Sequence, residues 1–337
     1  MTSRGVQFAG PRVRPRGRRP PRAILLAVVS LVALYFVVPH VTGLEHTWQR
    51  IRDGSPAWLA AAAAFEVGSF AGYVWLLRRI AAPLRWADAW RITLAGVAAT
   101  RIVTVAGAGG IAVTIAGLRR AGRSTREAAE RQAVDLVVLY AVFFGLMVVD
   151  GLALAAAGGR HAGLTVVPAL VGATVIGLAL AMALVPATFE RELRRRFGRR
   201  AGAVGALPAV VAAGVRGAIE LVARRDRALT GALMWWAFDI AALWACLHAF
   251  GGSVGAPELL MAYLAGHAFN VLPVPGGVGP VEGGMIAALA AFGEPAGLAL
   301  VGVLSYQLIS VWLPAAPGAV ALAQLRRDGA PAEKMAT

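Results

Sequence analysis

Pro273-Val274-Pro275-Gly276-Gly277-Val278-Gly279-Pro280-Val281-Glu282 interrupts an otherwise apolar stretch, and its three prolines and three glycines between 273 and 280 rule out a continuous helix. Proline has no N–H to donate and glycine leaves the backbone too free. About half a chain length earlier, Ala106-Gly107-Ala108-Gly109-Gly110-Ile111 makes a similar break. In hydrocarbon a broken helix exposes backbone polar groups, which is tolerated only where protein or a water-filled cavity covers them. A matched pair of interrupted segments, one per half, points to a transporter-like site between inverted repeats.

The surroundings of both breaks are those of a membrane protein. Hydrophobic residues make up 58% of the chain and charged ones 15%, with a mean hydropathy of +0.67, well beyond a soluble domain. Segment 57–77 carries one charge, Glu66, while 163–189 and 297–325 carry none. Each can cross a hydrocarbon core about 30 Å thick. Further spans are read at 23–38, 132–157 and 229–250, so the sequence predicts an all-α polytopic membrane protein. The net charge of +15 would suggest nucleic acid in a soluble protein. Here the arginines cluster between the spans, and no nucleic-acid partner is expected. Arg4, Arg12, Arg14, Arg16, Arg18, Arg19 and Arg22 precede the first apolar run and place the N-terminus in the cytoplasm. Segment 23–38 lacks a clear A-x-A cleavage site and reads as an uncleaved first helix. The single Cys246 permits no intrachain disulfide and reads as a small core residue.

Arginine placement sets the expected topology. Segments 78–91 and 119–131 are both arginine-rich, and a single crossing through 92–118 would put one of them outside. A re-entrant hairpin bent at 107–110 keeps both in the cytoplasm. The second broken segment, 259–292, has flanks without basic residues and reads as a hairpin entering from the opposite face. The result is about six full spans and two re-entrant hairpins in inverted repeats at about 57–157 and 229–325, within one membrane domain, 23–325. Both termini, the basic tail 1–22 and the tail 326–337, are expected in the cytoplasm of a multi-pass cell-membrane protein. Of 33 basic residues, all but Arg50, Arg52, Arg160 and Arg101 then fall on the cytoplasmic side. Insertion 190–227 joins the repeats. Within it Arg216, Glu220 and Arg224 recur every four residues opposite Val211, Val215 and Val222, as in an amphipathic helix on the membrane surface.

Ionisable residues at membrane depth cost about 2.5–3.5 kcal/mol each on insertion scales and so mark candidate sites. Glu66 and Asp239 occupy the middles of spans that the repeat makes equivalent, which suggests a common interior. Asp135 and Asp150 lie nearer helix ends; Arg131 and Asp135 have the i, i+4 spacing of a simple ion pair. In the second break His267, Asn270, Gly276, Gly277 and Glu282 form the most specific group. A helix restarting near Pro280 would present free N–H groups to an anion, with Glu282 in its first turn either as a favourable helix charge or as a functional one. In the first break Arg101, Gly109 and Gly110 are the candidates; Arg101 either clasps a phosphate in bidentate fashion or snorkels to the surface. Trp235, Trp236 and Trp312 fit either belt aromatics or pocket walls. No His, Cys or carboxylate cluster has metal-ligand spacing, so neither a metal nor a cofactor is expected.

The string P-x-P-G-G-x-G-x-x-E over 273–282 resembles the signature of the lysylphosphatidylglycerol synthase transmembrane (flippase-like) family. The first half is similar too, in Gly109-Gly110 followed by Leu118-Arg119-Arg120-Ala121-Gly122-Arg123-Ser124 and the helix start at 127–135, with Ala108 where a proline commonly precedes the glycines. The resemblance spans roughly 20–325. It implies a lipid translocase, in some members fused to an aminoacyl-lipid synthase. No segment here reads as that soluble transferase, so lipid handling without synthesis, and no enzyme activity, is expected. The implied partners are membrane lipids: an anionic or aminoacylated phospholipid or a polyprenyl lipid. A membrane-embedded lipid-headgroup transferase and a structural partner of a membrane enzyme are the alternatives, and a homo-oligomer stays open.

Overall fold

The computed structural model describes residues 54–102, 107–158, 162–184, 207–271 and 279–328. The expected first span at 23–38, the tail 1–22, residues 329–337 of the other tail, the whole 190–206 stretch and the residues Gly276 and Gly277 lie outside them. Among the described residues the chain is helical throughout: α1 Pro56–Ile80, α2 Trp86–Ile102, α3 Ala108–Arg120, α4 Thr125–Ala156, α5 Ala162–Ala183, α6 Leu207–Ala223, α7 Ala228–Ala249, α8 Ala256–Ala268, α9 Pro280–Ala291, α10 Ala296–Gln307 and α11 Leu313–Asp328. Five helices are long and apolar enough to cross a membrane: α1, α4, α5, α7, and α10 continued into α11.

The central seam is α1 against α7. Their partners run in opposite order along the two helices: the Ser55 N–H donates to the Ala249 carbonyl at 2.9 Å, Ser69 Oγ to the Trp235 carbonyl at 3.0 Å and Trp75 Nε1 to the Arg227 carbonyl at 3.0 Å. The helices are therefore antiparallel. Trp58 meets Trp244 edge to face at 5.0 Å near one end. Between them Gly72 and Gly231 let the backbones approach closely; a Cβ on Gly231 would stand 2.6 Å from the Gly72 carbonyl oxygen. Lipid tails are as apolar as leucine, so association in a membrane relies on such close packing more than on apolar burial.

Around this seam the two halves exchange contacts. Helices α2 and α3 pack on each other across the first break, and α8 and α9 do so across the second. The first helix of each pair also rests on a long span from the other half of the chain, α2 on α11 and α8 on α4. The last span is not a uniform helix. Pro314 lacks the N–H that the Ser310 carbonyl would accept from, and its ring crowds that carbonyl. The chain widens into a π-helical turn over Leu308–Trp312 just before it.

Several arginines that mark the topology also hold helix ends together. Ser124 caps α4 by accepting the Glu127 N–H at 3.1 Å. Arg123 donates to Glu127 at 3.0 Å and to the Ala82 carbonyl at 2.6 Å, while Arg131 donates to Glu127 and to the Ile80 carbonyl. The start of α4 is thereby tied to the end of α1. At the opposite partner, Asp226 accepts the Ala228 N–H at 2.8 Å and an Arg79 N–H at 3.1 Å. That backbone N–H first, and the Arg79 guanidinium second, hold the Asp226 carboxyl below the usual carboxylate range.

The structure refines two sequence expectations. Within the 107–110 stretch read as a bend, Gly107 takes the left-handed conformation (φ 72°) and α3 begins at the next residue, Ala108. Gly110 serves packing instead, since a Cβ there would come within 2.5 Å of Thr100 Oγ1 on α2. The helix expected within 190–227 is α6, and one face of it packs on α4. Its Gly214 and Gly217 sit on Ala133 and Val134 of α4, Val215 is buried, and the exposed apolar residues are Val211, Ile219 and Val222.

Candidate functional site

The carboxylates predicted at membrane depth are buried in the fold, and tyrosine hydroxyls donate to two of them, Asp239 and Asp135. Asp239, on α7, accepts hydrogen bonds from two tyrosine hydroxyls. Tyr306 of α10 reaches both carboxylate oxygens at 3.0 Å, and Tyr263 of α8 donates to Oδ2. Glu66, on α1, lies across the seam from Asp239, close enough for their carboxyls to interact directly. Glu66 is 5% exposed, and its Oε2 has no hydrogen-bond partner. The structure thus brings together the two residues singled out at mid-span, Glu66 and Asp239, and it adds two tyrosines the sequence reading passed over.

The second break feeds into this centre. His267 stacks on Tyr263 with ring centroids 4.1 Å apart and meets Trp236 edge-on at 6.2 Å. Its Nδ1 lies 3.1 Å from the Tyr263 carbonyl. Beyond the break, α9 restarts at Pro280, and Glu282 folds back over its N-terminus. Glu282 Oε2 accepts the Gly279 N–H at 2.6 Å and Oε1 accepts the side-chain amide of Gln307 at 2.7 Å. Gly279 sits at φ 120° and ψ −67°, a conformation that favours glycine. Tyr306 and Gln307 are adjacent in sequence, so one turn at the end of α10 ties Asp239 on α7 to Glu282 on α9. The π-helical turn that Pro314 imposes begins at the next residue. Asn270 is exposed in the short 3₁₀ turn Phe269–Val271 that ends α8.

A further buried carboxylate lies on the α1–α4 contact. Asp135 is 0% exposed and accepts from Tyr73 Oη at 3.1 Å, leaving Oδ1 without a partner. The sequence suggested that it reaches an interface and pairs with Arg131. Arg131 turns instead to Glu127 and to the end of α1, so the i, i+4 spacing is not used for that pair. Asp150 is buried farther along α4, with Oδ2 unpartnered.

The remaining candidates fall as follows. Arg101 lies in the last turn of α2, immediately before the first break. Gly109 and Gly110 open α3 on the other side of that break. Trp235 and Trp236 belong to the core: Trp236 is buried and donates to the Leu139 carbonyl at 2.8 Å, and Trp235 packs beside Tyr73 with centroids 5.0 Å apart. Cys246 is buried, in line with a packing role. Among the described residues no group of three or more His, Cys, Asp or Glu could hold a metal ion. The tyrosine partners carried one sequence signal. Of five tyrosines in the chain, Tyr73, Tyr263 and Tyr306 all donate to buried carboxylates, and a phenol in an apolar span brings a hydroxyl that needs such a partner.

Compared with known proteins, residues 23–318 match the family model described as Lysylphosphatidylglycerol synthase TM region. No curated protein matches the chain.

Proposed function

The chain belongs to the lysylphosphatidylglycerol synthase transmembrane family, and from that premise we propose that it moves a phospholipid or polyprenyl-linked lipid across the cell membrane, without group transfer. The observation that carries this reading is the pair of interrupted segments, each flanked by two helices that pack on each other. The flanking helices have 17 and 13 residues at the first break and 13 and 12 at the second. At about 1.5 Å per residue they reach roughly 18–26 Å, short of a core about 30 Å thick. Two re-entrant hairpins entering from opposite faces, with six full spans and cytoplasmic termini, fit these lengths and the arginine distribution. Single cysteines at 119–126 are expected to label from the cytoplasm and those at 251–257 from outside. Labelling of 119–126 from outside would remove the inverted-repeat topology.

In this reading a lipid headgroup enters between the hairpins while its acyl chains remain in the bilayer. Arg101 clasps the phosphate, helped by backbone N–H groups at the two breaks, near Gly109 and Gly110 on one side and Gly276 and Gly277 on the other. His267 and Asn270 flank the second break. Family membership and buried polar groups in the spans support a lipid-related membrane role; an apolar scaffold would have no use for costly carboxylates there. The test is transbilayer movement of fluorescent phosphatidylglycerol in liposomes containing the pure protein. Arg101→Ala is expected to slow it at least about tenfold, or roughly 1.4 kcal/mol in the barrier. Arg101→Lys should recover only part of the rate, because an ammonium cannot bind in a bidentate fork. Equal rates in all three proteins, at equal folded amounts, would reject Arg101 as the phosphate residue. A wild-type protein that moves no lipid would reject the flippase reading itself.

A further inference from the structure

Glu66 poses an electrostatic problem that lipid binding alone does not solve. It faces another carboxyl, Asp239, across the α1–α7 seam. Asp239 already collects both hydroxyl donors, Tyr306 and Tyr263. Glu66 receives none of them, and its Oε2 is buried without any partner. The other titratable or polar groups around the pair come from every element that packs on it. They are Cys246 on α7, Tyr263 with His267 stacked on it from α8, Tyr306 on α10 and Ser310 in the π-helical turn beside it. Among the described residues no lysine or arginine reaches either carboxyl.

Two adjacent carboxylates with one set of donors are unstable as a dianion away from water. A single proton placed between them changes this. It converts the repulsion into a hydrogen bond from Glu66 to Asp239, with Asp239 keeping its two tyrosine donors. The stranded Oε2 is then the carbonyl oxygen of a neutral acid, which tolerates the lack of a donor far better than half of a carboxylate does. A sodium ion would fit less well, because both hydroxyls point their hydrogens at Asp239 and offer the cation no further charge.

We propose that Glu66 and Asp239 together bind one exchangeable proton at the centre of the seam, and that its uptake and release drive lipid movement. The binding half of this proposal stands on the geometry of the pair; the driving half rests on the flippase reading. The position suits the role. The pair sits on the contact between the two repeats, and Tyr306 links it through Gln307 to Glu282 and the second break. A change in the seam that opened Glu66 to water on one face would release the proton there, with water as the acceptor. No other bond is made or broken.

Two measurements on the full chain separate the halves. Infrared titration of the purified protein is expected to show a protonated-carboxyl band that titrates as one proton and is absent from Glu66→Gln and from Asp239→Asn. Tyr306→Phe, which removes a donor but neither carboxyl, should keep the band and move its midpoint. If the carboxyl variants do not fold, as judged by thermal unfolding, Tyr306→Phe still carries the test. A band that survives in Glu66→Gln, or a midpoint untouched by Tyr306→Phe, overturns proton binding. In phosphatidylcholine–phosphatidylglycerol liposomes, an imposed pH gradient should bias the distribution of fluorescent phosphatidylglycerol by about tenfold per pH unit for one proton per lipid, and Glu66→Gln should lose that bias. Lipid movement indifferent to the pH gradient, or biased by a sodium gradient instead, overturns the coupling. If the wild type moves no lipid while the carboxyl band behaves as described, the flippase reading and the coupling fall and the proton site stands.

Discussion

Gly231→Leu is expected to yield no folded protein, and Gly231→Ala to lose about 1–3 kcal/mol of stability, the usual cost of forcing volume into a packed contact. The reason is what the new Cβ meets. At Gly231 it would stand 2.6 Å from the Gly72 carbonyl oxygen and 2.8 Å from the Leu76 nitrogen, and at Gly72 it would stand 2.9 Å from the Gly231 carbonyl oxygen and from the Trp235 nitrogen. All of these are backbone atoms of the facing helix, so no side chain can swing away to relieve the clash. The helices would have to separate. That would also pull Ser69 from the Trp235 carbonyl and Glu66 from Asp239. Gly145 and Gly177 supply the controls, because a Cβ on either meets nothing within 4 Å. Alanine there should be neutral or slightly stabilising, since alanine is the better helix former. Thermal unfolding in one detergent compares all of these variants. Equal midpoints for Gly231→Ala and Gly145→Ala would show that the close approach of α1 and α7 does not limit stability.

How far the chain could be read in advance follows from the range of each signal. Long apolar stretches and arginine clusters are local, so the spans over 57–77, 132–157, 163–189 and 229–250 emerged within a few residues of α1, α4, α5 and α7. Gly and Pro marked both breaks for the same reason. What the sequence concealed was the use of each glycine. A glycine that turns the chain and one that admits a neighbouring helix look alike until the neighbour is known. Hence the bend could be placed only as the stretch 107–110, within which Gly107 is the left-handed residue and Gly110 packs against Thr100. Side-chain partners were hidden in the same way. Arg131 and Asp135 satisfy i, i+4 spacing, but a closer carboxylate on the same helix, Glu127, and a tyrosine from α1 divide them. Glu66 and Asp239 could be paired in advance only because an expected repeat offered a long-range relation. No such relation pointed to Tyr263, Tyr306 or Gln307, whose roles depend on how α8 and α10 meet α7 and α9.

Removing the Glu282 side chain strands two donors, the exposed Gly279 N–H at 2.6 Å and the buried Gln307 amide at 2.7 Å. It should cost about 1–3 kcal/mol for the buried one, and should stop lipid movement. The first fixes the restart of the chain after the second break. The second fixes that restart to α10, next to Tyr306 and so to Asp239. With both carboxylate oxygens occupied, Glu282 acts in this structure by holding the turn. Gln307→Ala, which keeps the carboxylate but cuts its link to α10, should therefore lower translocation nearly as much as Glu282→Ala. The double variant should be less unstable than the sum of the two single ones, because it leaves no partner stranded across that contact. Glu282→Gln should fall between, since its single oxygen can no longer accept both donors at full strength. Gly279→Ala tests the same turn from the backbone: at φ 120° a side chain adds strain of about 1–3 kcal/mol. Translocation and unfolding midpoints measured on this set decide between two roles for the carboxylate. If Glu282→Ala abolishes lipid movement while Gln307→Ala and Gly279→Ala, all equally folded, leave it intact, then Glu282 works on the lipid and the turn needs no such clasp. Parallel losses across the set place its function in the shape of the second break.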